Sequence, residues 1–177
     1  MKLILKPAIG FFLLLFIACA VEAQDAPKVD ESNLVTQLLS LGNNSAAQAD
    51  SYFTGKKMAL VSRTPKDMGG YEVVTIKYKL ADTADSYAIM TLKDKVLNAM
   101  YLSYSAALYQ KVTDQALQAG FKAPATTSPD AVQVVYSRGD EKLIIRTAVA
   151  NGKTFHVFAA TNALQAGKWI EEAKAHQ

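Results

Sequence analysis

The chain has 177 residues, 50% of them hydrophobic, which is enough for one domain with a full core. Its 19 basic and 16 acidic residues give a net charge of +3, too small a positive field to indicate nucleic-acid binding. A single cysteine, Cys19, excludes an intramolecular disulfide and a cluster of thiolate metal ligands.

The first residues of the chain have the pattern of a secretory signal peptide. Two lysines precede an apolar run over residues 8–18, which is shorter than the roughly 20 residues that a membrane-spanning helix needs. Small residues then allow cleavage after Ala20 or after Ala23, and the polar stretch that follows favours the second site. We therefore predict a signal peptide over residues 1–23 and export of the remainder.

Cys19 leaves a second processing route open. Cleavage just before it would produce a lipid-bearing first residue, and Ala18 suits such a site, whereas Phe16 stands where leucine is usual. Lipidation is therefore the minor alternative. A mature chain without cysteine is more typical of the bacterial periplasm or cell surface than of a secreted animal domain. Residues 24–31 are polar and predict a flexible leader.

Hydrophobic periodicity predicts one domain over residues 32–177. An apolar stripe of helical period predicts a short helix that Ser32 caps and Gly42 ends, with a second helical turn over residues 46–53. The period then changes to two, which is typical of half-buried strands. The predicted strands are residues 57–63, 71–80, 87–92 and 96–104, the last two forming a hairpin.

The second half repeats this order. Ser105 caps a helix that Gly120 ends, and three strands follow over residues 132–137, 142–149 and 153–160. Asn151-Gly152 predicts a two-residue type I′ turn between the last two strands. A final helix begins at Asn162.

The predicted fold is α+β, an antiparallel sheet or two sheets with about three helices packed on one side. The two halves, residues 32–104 and 105–161, share an order that suggests a tandem α-β-β-β(-β) duplication. Both faces of the last hairpin are fairly apolar, although Arg146 interrupts one of them, so we expect helices or a partner chain on each. These residues are Ile144, Ala148, Phe155 and Val157 on one face, and Ile145, Val149 and Phe158 on the other.

Few residues offer catalytic chemistry. The Asn151-Gly152 turn places Thr147 opposite His156, which predicts a half-buried imidazole with a hydrogen-bonding partner, and a possible pocket. Local sequence supplies neither a carboxylate nor a second histidine beside it, so a structural role is favoured over catalysis. Nucleophile elbows, phosphate loops and calcium loops are not recognisable. We therefore predict neither a metal nor a cofactor.

One set of residues suggests a binding surface. Tyrosines mixed with lysines suit recognition of protein or glycan, although lysines also commonly keep a sheet face soluble. The candidate residues, all on the first predicted sheet, are Tyr71, Lys77, Lys79, Tyr87, Lys93 and Tyr101.

These observations predict an exported, non-enzymatic domain that binds a protein or another envelope component through a sheet face or edge. An inhibitor or immunity protein is one concrete form of this hypothesis. A secreted hydrolase that uses His156 and a carrier of small apolar ligands are the alternatives. Neither nucleic acid nor a transmembrane span of the mature chain is expected, and the oligomeric state is left open.

Overall fold

A computed structural model describes residues 30–80, 83–125 and 132–175 of the chain. The predicted signal peptide, Cys19 and most of the leader lie outside these residues. A 3-10 turn, Glu31–Asn33, precedes the first helix. The helices are α1 (Leu34–Gly42), α2 (Ala46–Gly55), α3 (Ala106–Gln118) and α4 (Ala163–Ala175). The strands are β1 (Ala59–Asp67), β2 (Glu72–Lys79), β3 (Ser86–Leu92), β4 (Lys95–Ser103), β5 (Gln133–Arg138), β6 (Glu141–Ala150) and β7 (Lys153–Asn162).

All seven strands belong to one antiparallel sheet, in the order β1-β2-β3-β4-β7-β6-β5. The first four strands follow one another as a meander, and the last three form a second meander whose final strand, β7, pairs with β4. The predicted α+β class with an antiparallel sheet is therefore confirmed, and the two meanders share one sheet.

Both ends of α3 have the geometry that the sequence predicts. The Ser105 hydroxyl accepts a hydrogen bond from the Leu108 amide (3.3 Å), which satisfies a free donor of the first turn. At the other end Gly120 has φ +84°, and the Phe121 amide donates to the Ala116 carbonyl (2.9 Å). This is a Schellman stop, which needs a residue that tolerates positive φ.

Turn and cap residues also fix the last hairpin and helix. Asn151 and Gly152 both have positive φ, 52° and 72°, as a type I′ turn requires. The Asn162 side chain then accepts a hydrogen bond from the Gln165 amide (3.0 Å) and caps α4. By contrast, β1 runs further than predicted, through Pro65. A proline is tolerated there because β1 is an edge strand with one side unpaired.

Helices α1, α2 and α3 pack on one face of the sheet, which we call the helical face. Large side chains from six neighbouring strands form one row across it. Phe53 of α2 lies on this row, stacked on Tyr78 with ring centroids 4.2 Å apart. The row consists of Tyr78, Tyr87, Tyr101, Phe158, Ile145 and Val134, all buried.

Helix α4 packs on the opposite face, which corrects the expectation of helices on one side only. It crosses one end of the sheet and buries Val73, Leu92 and Leu97, with Trp169 and Ile170 packed against them. The helix starts directly from the last residue of β7, so it has no loop long enough to reach the helical face. Within the described residues, none of the helices combines the length and apolar character needed to cross a bilayer.

Candidate functional site

The face that carries α4 is only partly covered. Beyond α4, nine apolar side chains of β3 to β7 are half-buried and belong to neither core cluster of the described residues. Cross-strand pairing joins Ala88, Met100, Ala159, Ile144 and Val135 in one row, and Leu102 and Val157 in the next. We call this set the open face: Ala88, Met100, Leu102, Val135, Ile144, Ala148, Phe155, Val157 and Ala159.

The open face is large enough to matter. Its five strands span about 19 Å at a spacing of about 4.8 Å, and its three rows span about 14 Å along the strands. The resulting apolar area is on the order of 300 Å², the size of the largest patch on a typical monomer, which is often functional. At its far end the exposed Tyr104 ring lies 6.0 Å from the Phe155 ring, so the surface continues past the last row.

Three basic side chains accompany the open face, two at its β2 edge and one within it. Lys77 of β2 pairs with Ala88, and Lys79 follows on the same strand. Arg146 of β6 pairs with Val157 of β7 and lies between Ile144 and Ala148 on the same face. Strand alternation and register place no Asp or Glu of the described strands on this face. Among the described residues, no Asp or Glu carboxylate lies within 4 Å of Lys77, Lys79 or Arg146. These three cations are therefore available to a partner.

The predicted tyrosine and lysine set does not form one surface. Lys77 and Lys79 lie beside the open face, but Tyr87 and Tyr101 point to the helical face and are only 2% and 1% exposed. Their position follows from register, because Tyr87 pairs with Tyr78 and not with Lys77. The sequence reveals the alternation of each strand and the loop before β3, but a loop of that length does not fix the pairing register as a two-residue turn does.

The buried tyrosine hydroxyls have polar partners on the helical face. Tyr101 donates to Asp85 (2.7 Å) and Tyr78 to Asp50 (2.6 Å), while Tyr87 lies 3.3 Å from the Gln37 side-chain oxygen. Burial raises the pKa of all three phenols well above the usual value, and the neighbouring carboxylates reinforce this for Tyr78 and Tyr101. These tyrosines are structural groups of a satisfied core.

Tyr71 and Lys93, the remaining members of the set, meet at the α4 end of the sheet. Together with Glu72, Leu92 and Ala173 they line a cavity of about 410 Å³ beside the end of α4. A neighbouring cavity of about 220 Å³ is lined by Trp169, Glu172 and the β3–β4 turn. Both cavities carry charges of both signs, so this end has no dominant charge.

His156 is held in a closed polar row on the helical face. Its Nδ1 lies 3.0 Å from the Thr147 hydroxyl, as the hairpin register predicts, and the Tyr109 and Phe158 rings pack against it. The residue is 8% exposed, and this burial lowers the pKa of the imidazole.

Two further polar residues, missed from the sequence, continue this row. Ser103 pairs with His156 across β4 and β7, but its hydroxyl donates to Asp85 (3.0 Å). The serine proton is therefore directed to a carboxylate that also accepts from Tyr101, and not to a histidine base. Among the described residues, no group of three or more His, Cys, Asp or Glu side chains is placed to hold a metal ion.

Of these regions, the open face is the one whose apolar side chains belong to neither core cluster of the described residues. The alternation of β6 and β7 predicts that their residues form a second apolar face, whereas Met100 and Leu102 of β4 were missed. Their signal was present, because residues 96–102 are apolar at positions that face both ways. Comparisons with protein-family models, with curated proteins and with solved structures give no match for this chain.

Proposed function

We propose that the chain is an exported, non-enzymatic binding domain that recognises another protein through the open face. The observation that supports this is an apolar surface on the order of 300 Å² that the fold leaves half-buried. Specific protein interfaces bury about 1,200–2,000 Å² in total, with an apolar core and a polar rim. The open face therefore has the size of the apolar core of such an interface, with polar side chains around it completing the contact.

Catalysis at His156 is less favoured, because the imidazole is packed between aromatic rings and its Nδ1 faces a threonine. A general base needs access to a substrate and a partner that orients it. The carrier hypothesis is also less favoured, since the space between sheet and helices is filled by aromatic side chains. Phe53, for example, lies against both Tyr78 and Tyr87.

Placing a photoreactive amino acid on the open face tests the binding proposal. The probe replaces Met100, and in a matched control it replaces the exposed Gln110 of α3, on the other side of the molecule. After irradiation in envelope extract of the source organism, we expect one discrete cross-linked protein with the Met100 probe and none with the Gln110 probe. Equal labelling of many proteins by both probes would contradict a specific binding surface.

Export is proposed on the pattern of residues 1–23, with the bacterial periplasm or cell surface as the destination. Intact mass of the protein isolated from its source tests this. A mature chain that begins at Gln24 supports signal cleavage as predicted, and one that begins at Val21 moves the site by three residues. A lipid-sized increment on Cys19 would instead show a membrane-anchored form, and an uncleaved Met1 would contradict export.

We also propose that the two meanders derive from one duplicated unit. Each follows a helix, and their last strands, β4 and β7, pair antiparallel at the centre of the sheet, as a two-fold relation requires. Superposition of α1 and β2–β4 on α3 and β5–β7 tests this. A rotation near 180° about an axis between β4 and β7 would support duplication, and a rotation far from it would contradict it.

A further inference from the structure

We propose that the open face binds an acidic amphipathic helix of the partner protein, laid beside α4 across the strands. This inference rests on the proposed function and specifies the chemistry of the partner. Three features of the described residues support it: the space beside α4, the flank that α4 turns toward that space, and the basic side chains of the open face.

The space beside α4 has the dimensions of a helix. Helix α4 lies on the same face of the sheet, over Val73, Leu92 and Leu97, and a helix is about 10 Å in diameter. The open face is therefore a floor about one helix diameter below the top of α4. A flat bilayer does not reach such a floor, whereas a second helix beside α4 fills it. A span of about 19 Å corresponds to about 13 helical residues, which is also the length of α4.

The exposed flank of α4 suits contact with a helix. Glu172 lines the cavity at the β3–β4 turn, so that flank of α4 faces the end of the sheet. At 100° per residue Gly167 lies about 140° from Glu172, on the flank that is directed inward over the strands. A Cβ at Gly167 would meet no atom within 4 Å, so a second helix can approach this flank closely. Glu171, on the outer side of α4, is paired with Lys174 at 2.9 Å.

The basic side chains of the open face indicate the charge of the partner. Lys77 and Lys79 stand on β2 and Arg146 on β6, four strand spacings or about 19 Å apart. A helix that lies across the strands covers the floor with its apolar stripe and brings residues near its two ends to these cations, so acidic residues are complementary there and basic residues repel. Exposed ion pairs contribute little affinity each, but together they govern selectivity and salt dependence.

Two synthetic 16-residue helical peptides provide the test. Both have leucine at helical spacing along one stripe, and one has glutamate where the other has lysine. We expect the purified protein to bind the acidic peptide at least about tenfold more tightly, and this preference to weaken between 20 and 200 mM salt. The triple variant Lys77→Glu/Lys79→Glu/Arg146→Glu is expected to reverse the preference. A variant with Lys56→Glu/Lys111→Glu/Lys122→Glu, which changes the net charge equally on other surfaces, is expected to retain it.

Several results would overturn this inference. They are equal binding of the two peptides, equal loss in both triple variants, or binding to phosphatidylglycerol vesicles in preference to the acidic peptide. Circular dichroism of each variant confirms that the fold is intact. If the Met100 probe captures one protein whose contact segment is a strand or a basic helix, this inference fails and the proposed function stands. If neither cross-link nor peptide binding is found, both fail.

Discussion

The two faces of the sheet are built from the same strands, yet one is buried beneath three helices and the other is only partly covered by the described residues. Ile144 and Ile145 are adjacent and identical, and both pair with apolar residues of β5 and β7. Ile145 is 1% exposed under the helices, whereas Ile144 is half-buried on the open face. The comparison shows that a hydrophobic pattern specifies only which side chains share a face, and that the helices decide which face becomes core.

Polar groups differ between the faces in the same way. On the helical face Asp85 accepts hydrogen bonds from Tyr101 and Ser103, and Asp50 accepts one from Tyr78. On the open face Lys77 and Arg146 have no carboxylate of the described residues within 4 Å. A buried polar group needs a hydrogen-bond partner inside the fold, while an exposed cation can hydrogen-bond to water and remains free to bind a partner protein. The presence or absence of a partner within the domain therefore distinguishes structural polar groups from candidate binding groups.

The largest predicted difference in unfolding free energy is between aspartate substitutions at two neighbouring positions, one on each face. Ile145→Asp places a carboxyl group in the core and is expected to cost more than about 4 kcal/mol, enough to unfold a domain of ordinary stability. Ile144→Asp leaves the carboxylate in contact with water and is expected to cost less than about 1.5 kcal/mol. Urea unfolding followed by circular dichroism measures both. Equal losses would mean that the open face is part of the core.

A pair of tyrosines on β4 and just after it gives a smaller difference. Tyr101→Phe removes the hydrogen bond to the Asp85 carboxylate inside the domain and is expected to cost about 2 kcal/mol. Tyr104→Phe removes a hydroxyl from an exposed ring, so its unfolding free energy is expected to change by less than about 0.5 kcal/mol. The two urea midpoints would coincide if the Asp85 contact contributed nothing.

The smallest predicted effect is a dependence of stability on pH between 7 and 5. Burial holds the pKa of His156 below its ordinary value of 6.5 in the folded state. As pH falls through 6.5, the unfolded chain binds a proton that the folded chain does not, so the free energy of unfolding falls. His156→Gln is expected to reduce this loss, measured as the difference in unfolding free energy between pH 7 and pH 5. An unchanged difference would show that His156 titrates normally in the fold.

Much of the fold follows from local sequence signals. Caps and turn residues such as Ser105, Gly120 and Asn151-Gly152 act within a few residues, and each is found where it was predicted. The pairing of Thr147 with His156 is also confirmed, because a two-residue turn fixes the register outward from Asn151-Gly152. A longer connection does not fix the register in this way. Strand β3 follows a loop, and the prediction that Tyr87 lies on the same face as Lys77 was wrong.

By itself, then, the sequence determined the elements, the tight hairpins and the apolar character of both faces of the last strands, because those depend on residues close together in the chain. Only the tertiary structure decided that β7 pairs with β4, that α4 takes the face opposite α1–α3, and that the open face is left beside it. These outcomes depend on contacts between distant residues, where several arrangements bury comparable apolar area and the lengths of the connections select one.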